Sequence, residues 1–176
     1  QSLAIYEKAL GPDHPRVATA LNNLAALFQE QDSYAEARPL YERALAIREK
    51  VYDPEHPYVA HSLNNLAWLL EAQGSYAEAR PLFERSLAIR KKIYGPEHPD
   101  MALALNNLAS LLGAESSYAE ACPLLERSLR STLAHLSKNM GAMTETERFQ
   151  YLATKAGPEP LLLNLIAMGG GGEAND

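Results

Sequence analysis

The chain has 176 residues, 47% of them apolar, enough to bury a core rather than to stay disordered. With 16 Lys and Arg against 22 Asp and Glu, its net charge of −6 argues against generic nucleic-acid or anionic-membrane binding. A single cysteine, Cys122, rules out an internal disulfide and a cysteine-based metal site, and no apolar stretch is long enough to span a bilayer. Without a visible secretory signal, this composition suits a reducing, cytoplasmic setting.

The chain opens on "QSLAIYEKAL", which matches "RALAIREKVY" and "RSLAIRKKIY" further on. Residues 1–11 therefore read as the tail of a repeat whose first half lies outside the sequence. Pro12, Pro54 and Pro96 align at a spacing of 42, as do His14, His56 and His98, and Tyr34, Tyr76 and Tyr118. Residues 12–53 and 54–95 are identical at 28 of 42 positions. Three repeats follow the partial one, at 12–53, 54–95 and 96–136.

Each repeat predicts two helices. The first runs from Pro15 to Gln31, with Val17, Leu21, Leu24, Ala25 and Phe28 at helical spacing and proline in the first turn. The second starts at Ser33, where Ser33 and Glu36 have the spacing of a capping box, repeated at Ser75/Glu78 and Ser117/Glu120. It ends near Tyr52, and Pro39, Pro81 and Pro123 inside it predict a repeated gentle bend. One hairpin cannot bury its own apolar face, but stacked hairpins can. The expected fold is all-α, a right-handed solenoid with a concave inner surface.

The residues Leu24-Ala25, Phe28, Tyr34, Ala37, Tyr41 and Ala44 resemble the tetratricopeptide repeat. The 42-residue period, with "LNNLA", "YAEARPLYERALAIREK" and a "GPEHP"-type loop, resembles its kinesin-light-chain class. The resemblance covers residues 1 to about 136 and implies a protein–protein interaction module that takes a peptide or protein in its groove.

"LNNLA" appears three times, although asparagine is costly inside a helix, about 0.5 kcal/mol each relative to alanine. Asn22 lies about 100° around the helix from Leu21, which points it away from the apolar stripe, with Asn23 on the groove's edge. Stacking then builds a ladder of Asn22/Asn23, Asn64/Asn65 and Asn106/Asn107. An amide carries donors and an acceptor, so the ladder suits a ligand backbone, and the resemblance implies that use. The competing reading is that the amides pair between neighbouring repeats or with loops.

Trp68 stands where the sister repeats have Ala26 and Ser110, and His61 and Glu71 lie on the same predicted face. These three candidates vary between repeats while the asparagines do not. That pattern suggests shared gripping plus variable selection, with inter-repeat packing as the alternative for Trp68.

The histidines in the loop before each first helix sit about 10 Å apart by stacking, too far for one metal ion. Cys122, in place of Arg38 and Arg80, has no neighbouring base, and the Gly169–Gly172 run lacks the lysine of a phosphate loop. The chain reads as a binding module, not an enzyme, with no catalytic residue, cofactor or metal.

From residue 137 the repeat stops. Thr144 with Glu147 predicts a helix start, Gly157-Pro158 its end, a shorter helix follows to Met168, and residues 169–176 read as a Gly-rich tail. "TETERFQYLATKAG" resembles the segment that joins such repeats to a caspase-like (CHAT) protease domain in bacterial proteins. That resemblance implies a regulatory arm covalently linked to a protease, against which stands a free-standing adaptor or scaffold.

Overall fold

A computed structural model describes residues 2–95 and 98–140. Among these are seven helices and no strand. They are α1 (Ser2–Leu10), α2 (Pro15–Glu30), α3 (Tyr34–Val51), α4 (Pro57–Ala72), α5 (Tyr76–Tyr94), α6 (Pro99–Ala114) and α7 (Tyr118–Met140). They form an α-solenoid: α2/α3, α4/α5 and α6/α7 are the hairpins of the three full repeats, and α1 is the second helix of the partial one. The expected helix beyond Thr144, the shorter one to Met168 and the Gly-rich tail lie outside the described residues.

The repeated histidines start the first helices. His14, His56 and His98 each occupy the N-cap in extended backbone, with ψ of 141°, 143° and 143°. Their Nδ1 atoms accept from the backbone N–H of Arg16, Tyr58 and Asp100 at 3.1, 3.1 and 3.2 Å. An imidazole here does what Ser or Asp does at most caps, and proline supplies the next residue.

The first helices close in a Schellman turn. Asp32, Gly74 and Ser116 take the left-handed conformation, at φ of 56°, 73° and 62°. The N–H groups of Ser33, Ser75 and Ser117 bond back to Phe28, Leu70 and Leu112 carbonyls at 2.9, 2.8 and 2.8 Å. This corrects the capping-box expectation at the first two of these serines. Ser33 and Ser75 do precede the second helices, but with ψ of 62° and 56° their side chains make no cap bond. Their backbone is bent to finish the preceding helix, out of the extended form a side-chain cap requires.

The second helices continue unbroken through Pro39, Pro81 and Pro123. The carbonyls that lose a partner belong to Ala35, Ala77 and Ala119, all exposed, so water replaces the missing bond.

The core is continuous at one end of the hairpins and segmented at the other. Ala25, Tyr41, Leu66, Leu69, Phe83, Leu108 and Leu111 belong to a single apolar cluster that crosses all three repeats. At the histidine end, Val17, Leu21 and Ile47 form one cluster, and Val59, Leu63 and Ile89 another. Each large side chain so buried contributes about 1.5–3 kcal/mol relative to exposure.

Candidate functional site

The asparagines are the first test of the groove. Asn22, Asn64 and Asn107 are only 6%, 8% and 7% exposed. Asn65 Nδ2 donates to Asn22 Oδ1 at 3.1 Å, and Asn107 Nδ2 donates to Asn64 Oδ1 at 2.8 Å. The first asparagine of each repeat thus accepts from the second asparagine of the next. This corrects the expected orientation of Asn22 and Asn64, which face the neighbouring first helix rather than the groove. The physical reason is that a first helix in a stack touches both its own partner and the preceding first helix, so its buried arc is wider than one stripe.

Asn23 and Asn106 are exposed. Among the described residues neither has a partner asparagine: the Asn23 amide meets no preceding first helix there, and the Asn106 oxygen no following one. Two bonds inside a packed interface, each about 1 kcal/mol net, offset part of the helix-propensity cost of six asparagines.

The exposed stripe of α4 carries Tyr58, His61 and Trp68, spaced three and seven residues apart on one face. Trp68 is 45% exposed, the only tryptophan in the chain. On α6 the matching positions hold Leu103 and Ser110, both exposed. Glu71 lies at the same seam, where its Oε1 accepts from Ser110 Oγ at 3.2 Å. Partial burial pushes the Glu71 carboxyl up, and the Ser110 bond draws it back.

A residue the sequence reading passed over holds this stripe in place. Arg48 of α3 is 5% exposed and reaches under α4. Its Nη1 donates to Tyr58 O at 3.1 Å and to Ser62 Oγ at 2.8 Å, and lies 3.4 Å from His61 Nδ1. The guanidinium also sits 5.6 Å from the centre of the Tyr58 ring. With Arg48 donating, His61 accepts at Nδ1 and carries its ring proton on Nε2. Burial, then the Arg48 and Arg90 charges, push the His61 pKa below its ordinary value and keep the ring neutral. The available signal was the arginine at "AIREK" recurring at Arg90, but helix spacing alone assigns it to solvent.

The outer face carries a second ladder. Arg38 Nη2 pairs with Glu78 of the next repeat at 2.8 Å, and Arg80 Nη2 with Glu120 at 2.6 Å. Each arginine also meets the glutamate one turn along its own helix, Glu42 at 2.8 Å and Glu84 at 3.0 Å. Glu78 and Glu120, two of the three glutamates expected to cap helices, are the acceptors of this ladder. Cys122, exposed, occupies the third arginine position.

A stack of helical hairpins zipped by amides and presenting a varied stripe defines a helical-repeat scaffold. The tetratricopeptide repeat model matches residues 1–50, 16–92 and 69–134, and the chain belongs to that family. Repeats of this family generally mediate protein–protein interactions and are generally non-catalytic.

Among solved structures, the chain is similar to BtubC (BKLC) from P. vanneervenii, with a TM-score of 0.70 and 27% identity over 76% of this chain and 53% of that one. It is also similar to a putative kinesin light chain from Podospora anserina with nearly identical TPR-like repeats. There the TM-score is 0.65, with 32% identity over 76% of this chain and 63% of the other. Nephrocystin-3 of Mus musculus is 47% identical over 44 residues, 25% of this chain. Those residues are 3% of that protein's length, and the solved chains too extend well beyond the region matched. No described helix is long and apolar enough to cross a membrane.

Proposed function

We propose that the exposed stripe of the first helices binds a protein or peptide partner, with Trp68 as its anchor. The observation that carries this reading is Trp68, largely open to solvent on the one first helix where the sisters have Ala26 and Ser110. A tryptophan left half in water contributes little to folding and much to binding when a partner covers it. His61 supplies a neutral Nε2–H donor and Glu71 an acceptor on either side of it. Of the six asparagines, Asn23 and Asn106 are exposed among the described residues and can offer their amides to a ligand. Asn22, Asn64, Asn65 and Asn107 support the groove by holding its wall in register.

Within this reading the chain is the sensing arm of a larger protein, and the "TETERFQYLATKAG" resemblance supports a protease domain as the effector. Sequencing the gene beyond Asp176 tests that extension: a following region with a His and Cys pair supports it, and a stop codon favours a free-standing scaffold. The binding reading itself is tested with peptides selected against the full chain from a random display library. Trp68→Ala and His61→Ala are expected to weaken the selected peptides at least tenfold with an unchanged far-UV spectrum, and Arg85→Ala, on the outer face, to leave them bound. Undiminished binding by Trp68→Ala would sink the groove model.

A further inference from the structure

On the outer face, successive second helices share a recurring ion pair whose acid comes from the earlier helix. Arg43 of α3 pairs with Glu7 of α1 at 2.6 Å, and Arg85 of α5 with Glu49 of α3 at 2.5 Å. The next pair of positions in this series holds Lys91 of α5 and Arg127 of α7. The register of the helices is unchanged there, since Arg80 reaches Glu120 of α7 as Arg38 reaches Glu78 of α5. Two cations therefore face each other where the earlier junctions have a cation and an anion.

Arg130, one turn beyond Arg127, adds a third cation at a position that holds Ala46 and Ala88 in the earlier repeats. Lys91, Arg127 and Arg130 are all exposed, and none pairs with a carboxylate among the described residues. Glu126, one turn before Arg130 on α7, pairs with none of them there. Three cations thus stand against one carboxylate. The position that would supply the missing acid is Lys91 itself, inside the repeat array. Like charges held side by side cost stability, so an anion settling between them is favoured.

We propose that this outer patch at the junction of α5 and α7 docks an acidic segment of a partner protein. One carboxylate of the segment bridges Lys91 and Arg127, standing in for the glutamate that the earlier junctions carry on their own helix. A second pairs with the Arg130 guanidinium, whose planar fork suits a carboxylate. The charge is confined to one junction of a chain whose net charge is −6, which suits two or three neighbouring side chains and not a run of phosphates. The patch lies on second helices, away from the Trp68 stripe of the first helices, and does not depend on it.

The probe is end-blocked hexaglutamate titrated into the isotopically labelled full chain. Saturable one-to-one binding that shifts the Lys91, Arg127 and Arg130 signals is expected, and it should be lost in about 1 M salt. Lys91→Glu rebuilds the ion pair of the earlier junctions, keeps the fold and should weaken binding about tenfold. Arg130→Ala should weaken it several-fold. Lys50→Glu makes the same change of net charge on the outer face at another junction and should leave binding within about twofold. Absence of saturation overturns the proposal, as does equal weakening by Lys50→Glu and Lys91→Glu, which would mean attraction by overall charge alone. Tighter binding of a single-stranded oligonucleotide than of hexaglutamate also overturns it, because the occupant is then a nucleic acid.

Discussion

The junction between repeats 12–53 and 54–95 and the one between 54–95 and 96–136 are built on one template and finished differently. Both have the Asn–Asn bond, the Arg–Glu pair on the outer face and a fully buried leucine. They part at the buried arginine. At the first junction Arg48 finds Tyr58 O and Ser62 Oγ. At the second, Ala104 stands where Ser62 stands, and Asp100 where Tyr58 stands. There Arg90 reaches Asp100 only at 3.8 Å, and its Nε is buried with no hydrogen-bond partner. Lys91 also replaces the glutamate that, as Glu49, pairs with Arg85, so Arg127 has no acidic partner at that position. Apolar packing and amides are enough to set the repeat geometry. The charged seam adds strength at one junction and leaves the other looser.

The largest expected effect comes from making the two junctions alike. Ser62→Ala removes a hydrogen bond from a buried guanidinium and should cost about 2–3 kcal/mol. The reverse change, Ala104→Ser, gives Arg90 an oxygen and should add about 1 kcal/mol. Urea unfolding of both variants checks this, and equal small effects would show that the seam is not what separates the junctions.

Next in size is the zipper, which both junctions share. Asn64→Ala deletes the acceptor for Asn107 and leaves a buried amide unpaired, a loss of about 1–2 kcal/mol. Asn64→Leu together with Asn107→Leu removes both partners and should cost less than the single change. If the double variant is the weaker, the pair is more than a local hydrogen bond.

Much of this was legible in the sequence. The 42-residue period located α1 to α6 to within a residue or two and the start of α7, though α7 runs on to Met140, past the repeat's end at 136, and Val17, Leu21 and Ala25 were rightly placed in the core. What was hidden depends on the stack. One amphipathic helix has one buried face, and by that rule Asn22 points away from the core; only the neighbouring repeat makes its position an interior one. For the same reason Arg48 drew no notice, and Glu78 was read as a cap when its partner lies 40 residues earlier in Arg38. Trp68 was legible because it breaks the repeat, and a departure from a repeat is visible without any knowledge of stacking.

His61 gives a smaller effect confined to the first junction. Burial first, then Arg48 and Arg90, depress its pKa below 6.5. In the window between the folded value and 6.5 the unfolded chain binds the proton and the folded chain does not. Stability is therefore fully present above about pH 6.5 and is lost as pH falls through the folded value. His61→Leu, the residue Leu103 provides at the second junction, should flatten this slope. Urea midpoints at about pH 7.5 and about pH 5 measure it, and an unchanged slope would assign the titration to other histidines.

The smallest effect belongs to the outer ladder, where the two junctions are most alike. Arg38 and Arg80 have side chains 38% and 36% exposed, and Glu78 and Glu120 are each 55% exposed. Water screens these pairs, and two long side chains must be ordered to form each one. Arg38→Ala and Arg80→Ala should therefore lower the melting temperature only slightly and by similar amounts. In about 1 M salt, where the screening length falls to about 3 Å, both losses should vanish. A loss that persists in salt at Arg80 alone would point to its third carboxylate, Glu115 at 3.8 Å and better shielded than the others. In that case the second junction, poorer in its buried seam, is compensated on its surface. Cys122 occupies the next arginine position of the same ladder: Cys122→Arg regains the glutamate one turn along its own helix, Glu126, but meets no equivalent of Glu78 or Glu120 among the described residues, so it should raise stability by no more than about 0.5 kcal/mol.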